Sequence, residues 1–249
     1  MSVEPRLHPL VEPLTWDSAF FGYDVGALSL DNTADRSAIR NALGPPDNAR
    51  YRLIVVSHPS DRADLRQAVA DAGGQLVDVK FDYRTDVPNG SDWPEHVDAL
   101  TAAATSAEVQ ALNALALISG EHSRFRIDPR IGHDNWSRLY RLWVENSLSG
   151  AIADIVLVHR AEDRITGFVT IKARDEQARI GLIAVDPAFQ GSGVGRALIT
   201  AAHAWAARQR LANIFVATQQ DNIGACRFYA RMGFSLATQT DIHHLWTIS

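Results

Sequence analysis

Three glycines at alternate positions, Gly191, Gly193 and Gly195, stand where an apolar run ending at Val185 gives way to an Ala-rich segment, Val194 to Arg208. A strand, a turn and a glycine loop opening a helix leave several backbone N–H groups free at the helix N-terminus, the positive end of its macrodipole. Such a loop, Gln190-Gly-Ser-Gly-Val-Gly195 with Arg196 behind it, holds phosphate-like anions through its own amides and needs no lysine. Glycine matters there because a Cβ blocks close approach of backbone to ligand. The spacing is neither the dinucleotide fingerprint nor a Walker loop, since no Gly-Lys-Ser/Thr follows.

Other residue types with chemistry to offer lie apart from the loop. Arg124 and Arg126 flank Phe125 in a polar stretch, and guanidinium binds a diphosphate bidentately; surface charge on a loop explains them equally. Trp143, Glu145 and Asn146 stand close together on an expected helix and offer lining for a pocket, although Trp143 also belongs to that helix's apolar stripe. Asn222 opens a helix, where asparagine is a favoured N-cap. Cys226 lacks a histidine at activating spacing and reads as a small hydrophobe. His243 and His244 are strand neighbours that face opposite sides, so that pair makes no metal site. No metal is expected.

The bulk numbers narrow the class. At 249 residues the chain holds one large domain or two modest ones. Its 46% apolar and 21% charged residues are ordinary for a globular protein. A net charge of −5 without a basic run argues against nucleic-acid binding. One cysteine excludes an internal disulfide and a Cys-based zinc site. Met1 to Leu14 lacks the apolar core of a signal peptide, and runs such as Ile155 to Val158 are too short to span a bilayer. A cytoplasmic enzyme is the expectation.

The turn-rich Asp86 to Pro94 segment divides the chain into an N-terminal α/β domain, 1–95, and a larger domain, 96–249. In the first, Val25 to Leu30, Tyr51 to Ser57 and Gln75 to Arg84 read as strands. Ala34 to Leu43, stopped by Gly44-Pro45-Pro46, and Asp61 to Ala72 read as helices. In the second, helices are expected at Ala107 to Ile118, Trp136 to Asn146, Val194 to Arg208 and Asn222 to Met232, with irregular chain from Ser119 to Asn135. Strands are expected at Asp154 to Arg160, Ile165 to Ala173, Arg179 to Val185 and Asn213 to Gln219, then one through Leu236 and another from His243 to Ile248. This is an α/β mixture around one sheet. A helix–glycine–strand echo links Val69 to Leu76 with Tyr229 to Leu236; it is either a common helix C-cap or the trace of a degenerate copy.

Gln190 to Gly195 matches the Gln/Arg-x-x-Gly-x-Gly/Ala loop of the GNAT acetyltransferase superfamily. Ile183-Ala-Val-Asp-Pro187 resembles that family's fourth strand, and Asp221-Asn222 with Tyr229-Ala-Arg-Met-Gly-Phe234 resembles its later helix. Segments in both halves, among them Glu12 to Gly22, Ser123 to Arg126, Trp143 to Asn146 and Val216 to Gln219, are similar to the dTDP-fucosamine acetyltransferases of that superfamily. These act on the 4-amino group of a nucleotide-linked dideoxy sugar.

The resemblance implies a mixed, splayed GNAT sheet flanked by helices, with acetyl-CoA as co-substrate. Gln190, Gly191, Ser192, Gly193, Val194, Gly195 and Arg196 would hold its pyrophosphate. Ile183, Ala184 and Val185 would pair with the pantetheine amides as an added strand, and Asn222 would hold the same arm. Tyr229 would protonate the departing thiolate, work that a phenol suits; a core aromatic is its other reading. Arg124, Arg126 and Glu145 would bind the acceptor, a small-molecule amine such as a dTDP-linked amino sugar. Glu145, Glu121, His122, Asp221 and a water chain all stay open as general base. A homodimer is the candidate assembly. Another amine acceptor (aminoglycoside, polyamine or protein N-terminus) and a non-catalytic acyl-CoA-binding module are the alternatives.

Overall fold

A computed structural model of the chain describes residues 10–44, 49–88, 90 and 92–247. The first nine residues of the N-terminal stretch, the Pro45-Pro46 helix stop, Asn89 and Ser91 of the turn-rich segment, and Ile248 lie outside the described residues.

The elements run β1 (Glu12–Pro13), α1 (Thr15–Phe21), β2 (Val25–Ser29), α2 (Arg36–Leu43), β3 (Leu53–Pro59), α3 (Ala63–Asp71), β4 (Gln75–Asp86) and β5 (Val97–Leu100). Next come α4 (Ser106–Ser119), α5 (Arg124–Ile127), α6 (His133–Leu148), β6 (Ile155–Ala161), β7 (Arg164–Arg174) and β8 (Gln177–Val185). A 3-10 turn at Pro187–Phe189 leads into α7 (Val194–Arg208), β9 (Asn213–Gln219), α8 (Ile223–Arg231) and β10 (Ser235–Trp246).

The chain divides into two compact units, Met1–Phe81 with Thr238–Ser249, and Asp82–Ala237. This differs from the boundary expected at 95/96. The division falls inside β4, and the last strand returns to the first unit, because strand pairing rather than turn composition decides where each core closes.

In the first unit β2 runs parallel to β3, and β10 lies antiparallel to β3 from Thr240 opposite Pro59 to Trp246 opposite Leu53. Asp35 caps α2 by accepting the Ala38 N–H at 2.8 Å, which turns Ala38, Ile39 and Ala42 inward. Ile39 and Ala42 join Leu28, Ile54, Val56, Leu65 and Val69 in one core.

In the second unit β5, β6, β7 and β8 are successive antiparallel neighbours, and β9 joins β8 in parallel. Every residue of β7 from Ile165 to Ile171 is buried, as a central strand with α4 and α7 packed against it requires. Helix α4 starts at a capping box in which Thr105 and Glu108 satisfy each other's backbone amides. The Glu108 carboxyl is held down at about 2, chiefly by the Thr105 amide and then by Arg160.

Several expectations change. The stretch expected to be irregular carries α5 and the first turn of α6, entered through Gly132 at φ +79°. The two expected terminal strands are one, β10. The echo extends beyond a glycine cap: β3, α3 and β4 have 7, 9 and 12 residues, and so do β9, α8 and β10. Gly73 and Gly233 take the same left-handed turn at φ +92° and +83°.

One strand glycine is required by close approach. A Cβ on Gly167 of β7 would lie 2.9 Å from the Ala184 carbonyl oxygen and 2.9 Å from Val194 Cγ1, where α7 begins. Gly167→Ala should cost about 1–3 kcal/mol by overpacking, read by urea unfolding; an unchanged midpoint would refute the contact. Thr105→Ala should cost about 1 kcal/mol in the same assay through loss of the α4 cap.

Candidate active site

The site begins where two parallel strands part. β8 pairs with β9 only from Gln177 opposite Asn213 to Ile180 opposite Val216, although both strands continue. Beyond that point β8 stays bonded to β7, with Ile183 opposite Val169, Ala184 opposite Phe168 and Val185 opposite Gly167. The edge of Ile183 to Val185 that would face β9 is therefore unpaired by it, which is the geometry that accepts an added strand.

A bulge makes the parting. The β7–β8 register shifts between Val169 and Ile171, and there the Leu182 N–H donates to the Thr170 hydroxyl at 2.9 Å instead of to a backbone carbonyl. Below the bulge the sheet is tied shut. Arg179 of β8 reaches Asp82 of β4 at 3.0 Å and lies over the Phe215 ring of β9. Arg84 of β4 donates to the Asn213 side chain at 2.7 Å.

The unpaired edge leads into the glycine loop. Asp186 accepts the Ala188 N–H at 2.9 Å and starts the short turn, and the Ser192 hydroxyl donates to the Phe189 carbonyl at 2.6 Å. Gly191 at φ +81° and Gly193 at φ +97° then reverse the chain. The first bond into α7 runs from the Ala197 N–H to the Gly193 carbonyl at 3.0 Å. The amides of Val194, Gly195 and Arg196 are thus first-turn donors with no carbonyl one turn back. Added Cβ atoms at Gly191 and Gly193 would meet nothing within 4 Å, so their backbone conformation, more than space within the loop, calls for glycine.

Across the parting, β9 ends at Gln219, and Asn222 three residues on accepts the Ala225 N–H through Oδ1 at 3.1 Å and caps α8. About two turns after Asn222, Tyr229 is buried, packed on Phe228, Phe234 and Tyr83 at ring separations of 5.4, 5.6 and 5.7 Å. Burial, with a smaller contribution from Cys226, raises its phenol above the ordinary value of 10. The group therefore keeps its proton at neutral and mildly alkaline pH, as a proton donor must.

Cys226 sits one turn before Tyr229, with its thiol against the Gln219 carbonyl at 3.6 Å and hydrogen-bonded with Tyr83, whose own phenol is pushed up by burial. Tyr83 escaped sequence reasoning because it lies on β4, in the half of the chain read as a separate domain.

The acceptor-side residues are less unified. Arg126 lines a cavity of about 640 Å³ with Glu121, His122, Ile127, His133 and Trp136, and its guanidinium lies 5.3 Å above the Trp136 ring. Arg124 lies 4.2 Å above the Phe125 ring, and Glu145 is exposed on α6; neither lines that cavity. Of the base candidates, Glu121 and His122 are brought to the cavity and Asp221 is exposed beside Asn222. Among the described residues no helix is long and apolar enough to cross a membrane.

Residues 123–234 match the family model described as acetyltransferase (GNAT) family. The chain is similar to dTDP-fucosamine acetyltransferase of Escherichia coli O6:H1, at 30% identity over 90% of this chain and 92% of that protein. It is similar also to the spore coat polysaccharide biosynthesis protein SpsD of Bacillus subtilis, at 29% identity over 56% of this chain and 48% of that one. Its fold resembles a GCN5-related N-acetyltransferase from Kribbella flavida, with a TM-score of 0.54 at 14% identity, covering 89% and 80% of the two chains. Taken with the parted strands and the glycine loop, these likenesses establish that the chain belongs to the GNAT acetyltransferase family, whose members transfer acetyl from acetyl-CoA.

Proposed function

We propose that this enzyme acetylates the primary amine of a nucleotide-linked amino-deoxy sugar by direct attack on acetyl-CoA in a ternary complex. The observation that carries the acceptor class is the likeness to dTDP-fucosamine acetyltransferase, which extends over 90% of the chain and so through both units. Arg126, with Arg124 nearby in sequence, is the proposed holder of the sugar nucleotide's phosphates, since guanidinium matches phosphate in a fork. Glu145 is the proposed contact to the sugar.

On the donor side, the amides from Gly191 to Arg196 receive the pyrophosphate, with Gln190 at the loop's entrance. Ile183, Ala184 and Val185 bond the pantetheine along their unpaired edge, and Asn222 donates to it from the opposite side. The neutral amine adds to the thioester carbonyl. The tetrahedral intermediate collapses with cleavage of the C–S bond, the sulfur takes the Tyr229 proton, the new amide nitrogen sheds its surplus proton to solvent, and the phenolate recovers a proton from solvent. The reaction calls for no metal. The polar neighbours of Cys226 among the described residues are carbonyls and Tyr83, none of them a base, which favours direct transfer over an acyl-enzyme.

A panel of dTDP- and UDP-linked amino sugars, assayed for thiol release beside aminoglycosides, polyamines and peptide N-termini, tests the acceptor. Turnover confined to the last three classes refutes the sugar, and tight CoA binding without any turnover identifies a binding module. Tyr229→Phe preserves packing and should lower kcat by roughly 10²–10⁴-fold; a wild-type rate removes Tyr229 as the acid. Gly193→Val should weaken acetyl-CoA binding by roughly tenfold or more, since a hydrogen bond to a charged group contributes about 1.5–3 kcal/mol. Calorimetry showing unchanged affinity would refute the loop.

A further inference from the structure

We propose that His58, Asp241 and His243 form a buried binding site for a divalent transition-metal ion of the Zn²⁺ type in the first unit. The placement follows from register. His58 of β3 stands opposite Asp241 of β10, and His243 lies two residues along β10, so all three side chains share one sheet face. The two Nε2 atoms are 3.1 Å apart, His58 Nε2 lies 3.8 Å from Asp241 Oδ2, and the three ligand atoms lie within 4.8 Å of one another. Two ligands of tetrahedral zinc, each at about 2.0–2.1 Å from the ion, sit about 3.3 Å apart. The imidazole edge already has that length, and a small shift of the carboxylate closes the rest.

Proton counting points the same way. His58 Nδ1 lies 2.9 Å from the Pro59 carbonyl, which only an N–H can satisfy, so its Nε2 presents a lone pair to His243. In a metal-free neutral pair, His243 must then carry its proton on Nε2. That tautomer leaves His243 Nδ1 bare and buried with no partner, and Asp241 Oδ1 is also without one. An ion between the rings accepts both Nε2 lone pairs and moves the His243 proton to Nδ1, the nitrogen otherwise left bare.

All three side chains are buried, so their ligand atoms are shielded from bulk solvent. Arg66 of α3 now donates to Asp241 Oδ2, but its side chain is 44% exposed and has solvent to swing into when an ion takes the carboxylate. Three protein ligands leave a fourth position for water.

The test uses the full chain, stripped with chelator and titrated with Co²⁺ and then Zn²⁺. The expected result is one equivalent of Co²⁺ with the d–d bands of a tetrahedral site, displaced by Zn²⁺ with a rise in Tm. His58→Gln and His243→Gln should each weaken uptake by roughly tenfold or more. Arg66→Gln alters only a half-exposed side chain and should tighten uptake by removing the competing cation. Failure of both wild type and Arg66→Gln to take up either ion overturns the site, as does uptake that persists undiminished in both histidine variants.

Discussion

The parting of β8 from β9 is the constraint on which the catalytic unit depends. Parallel strands gain from pairing along their length, and these two stop after Ile180 and Val216 although both run on. The bulge opposite Thr170 bends β8 away, and the Thr170 hydroxyl keeps the bent strand's Leu182 amide from being lost to the interior. Arg179, Asp82 and Phe215 hold the other end closed, so the opening is a fixed wedge. Gly167 lets the start of α7 sit against β7 and β8 at its mouth. The glycine loop, the free edge and Tyr229 are all placed by that wedge.

The two sides proposed for the reaction are built from different materials. The donor side is mostly backbone: amides at a helix start, an unpaired strand edge and glycines in left-handed turns. Amides at a helix start suit an anion even in a chain of net charge −5 without a cluster of lysines. Tyr229, the proposed acid, is kept protonated by burial among other rings. The acceptor side is made of side chains on α5 and α6, where Arg126, His133 and Trp136 line an open cavity. A common donor with a variable acceptor is what this division of labour permits.

That division also governs what could be read from residues alone. The loop, α7 from Val194 to Arg208 and β9 from Asn213 to Gln219 stand in the fold where periodicity and glycine punctuation put them, because their signals are local. Long-range pairing was invisible. Turn residues near 95 marked a boundary, whereas the cores divide inside β4 and the last strand belongs with β3. Residues Glu12–Pro13 and Val97–Leu100 are strands only because a neighbour pairs with them. Tyr83 beside Tyr229, and His58 beside His243, are contacts across most of the sequence that no spacing rule connects.

The return of β10 sets an order on biosynthesis. Its residues pair along the whole of β3, and the His58–His243 contact closes a separation of 185 positions. A ribosome delivers the segments of the second unit before it delivers the strand that completes the first. The first unit's early strands must therefore wait with a bare edge on β3 while the catalytic unit is being made, exposed to pairing with other chains in the interval.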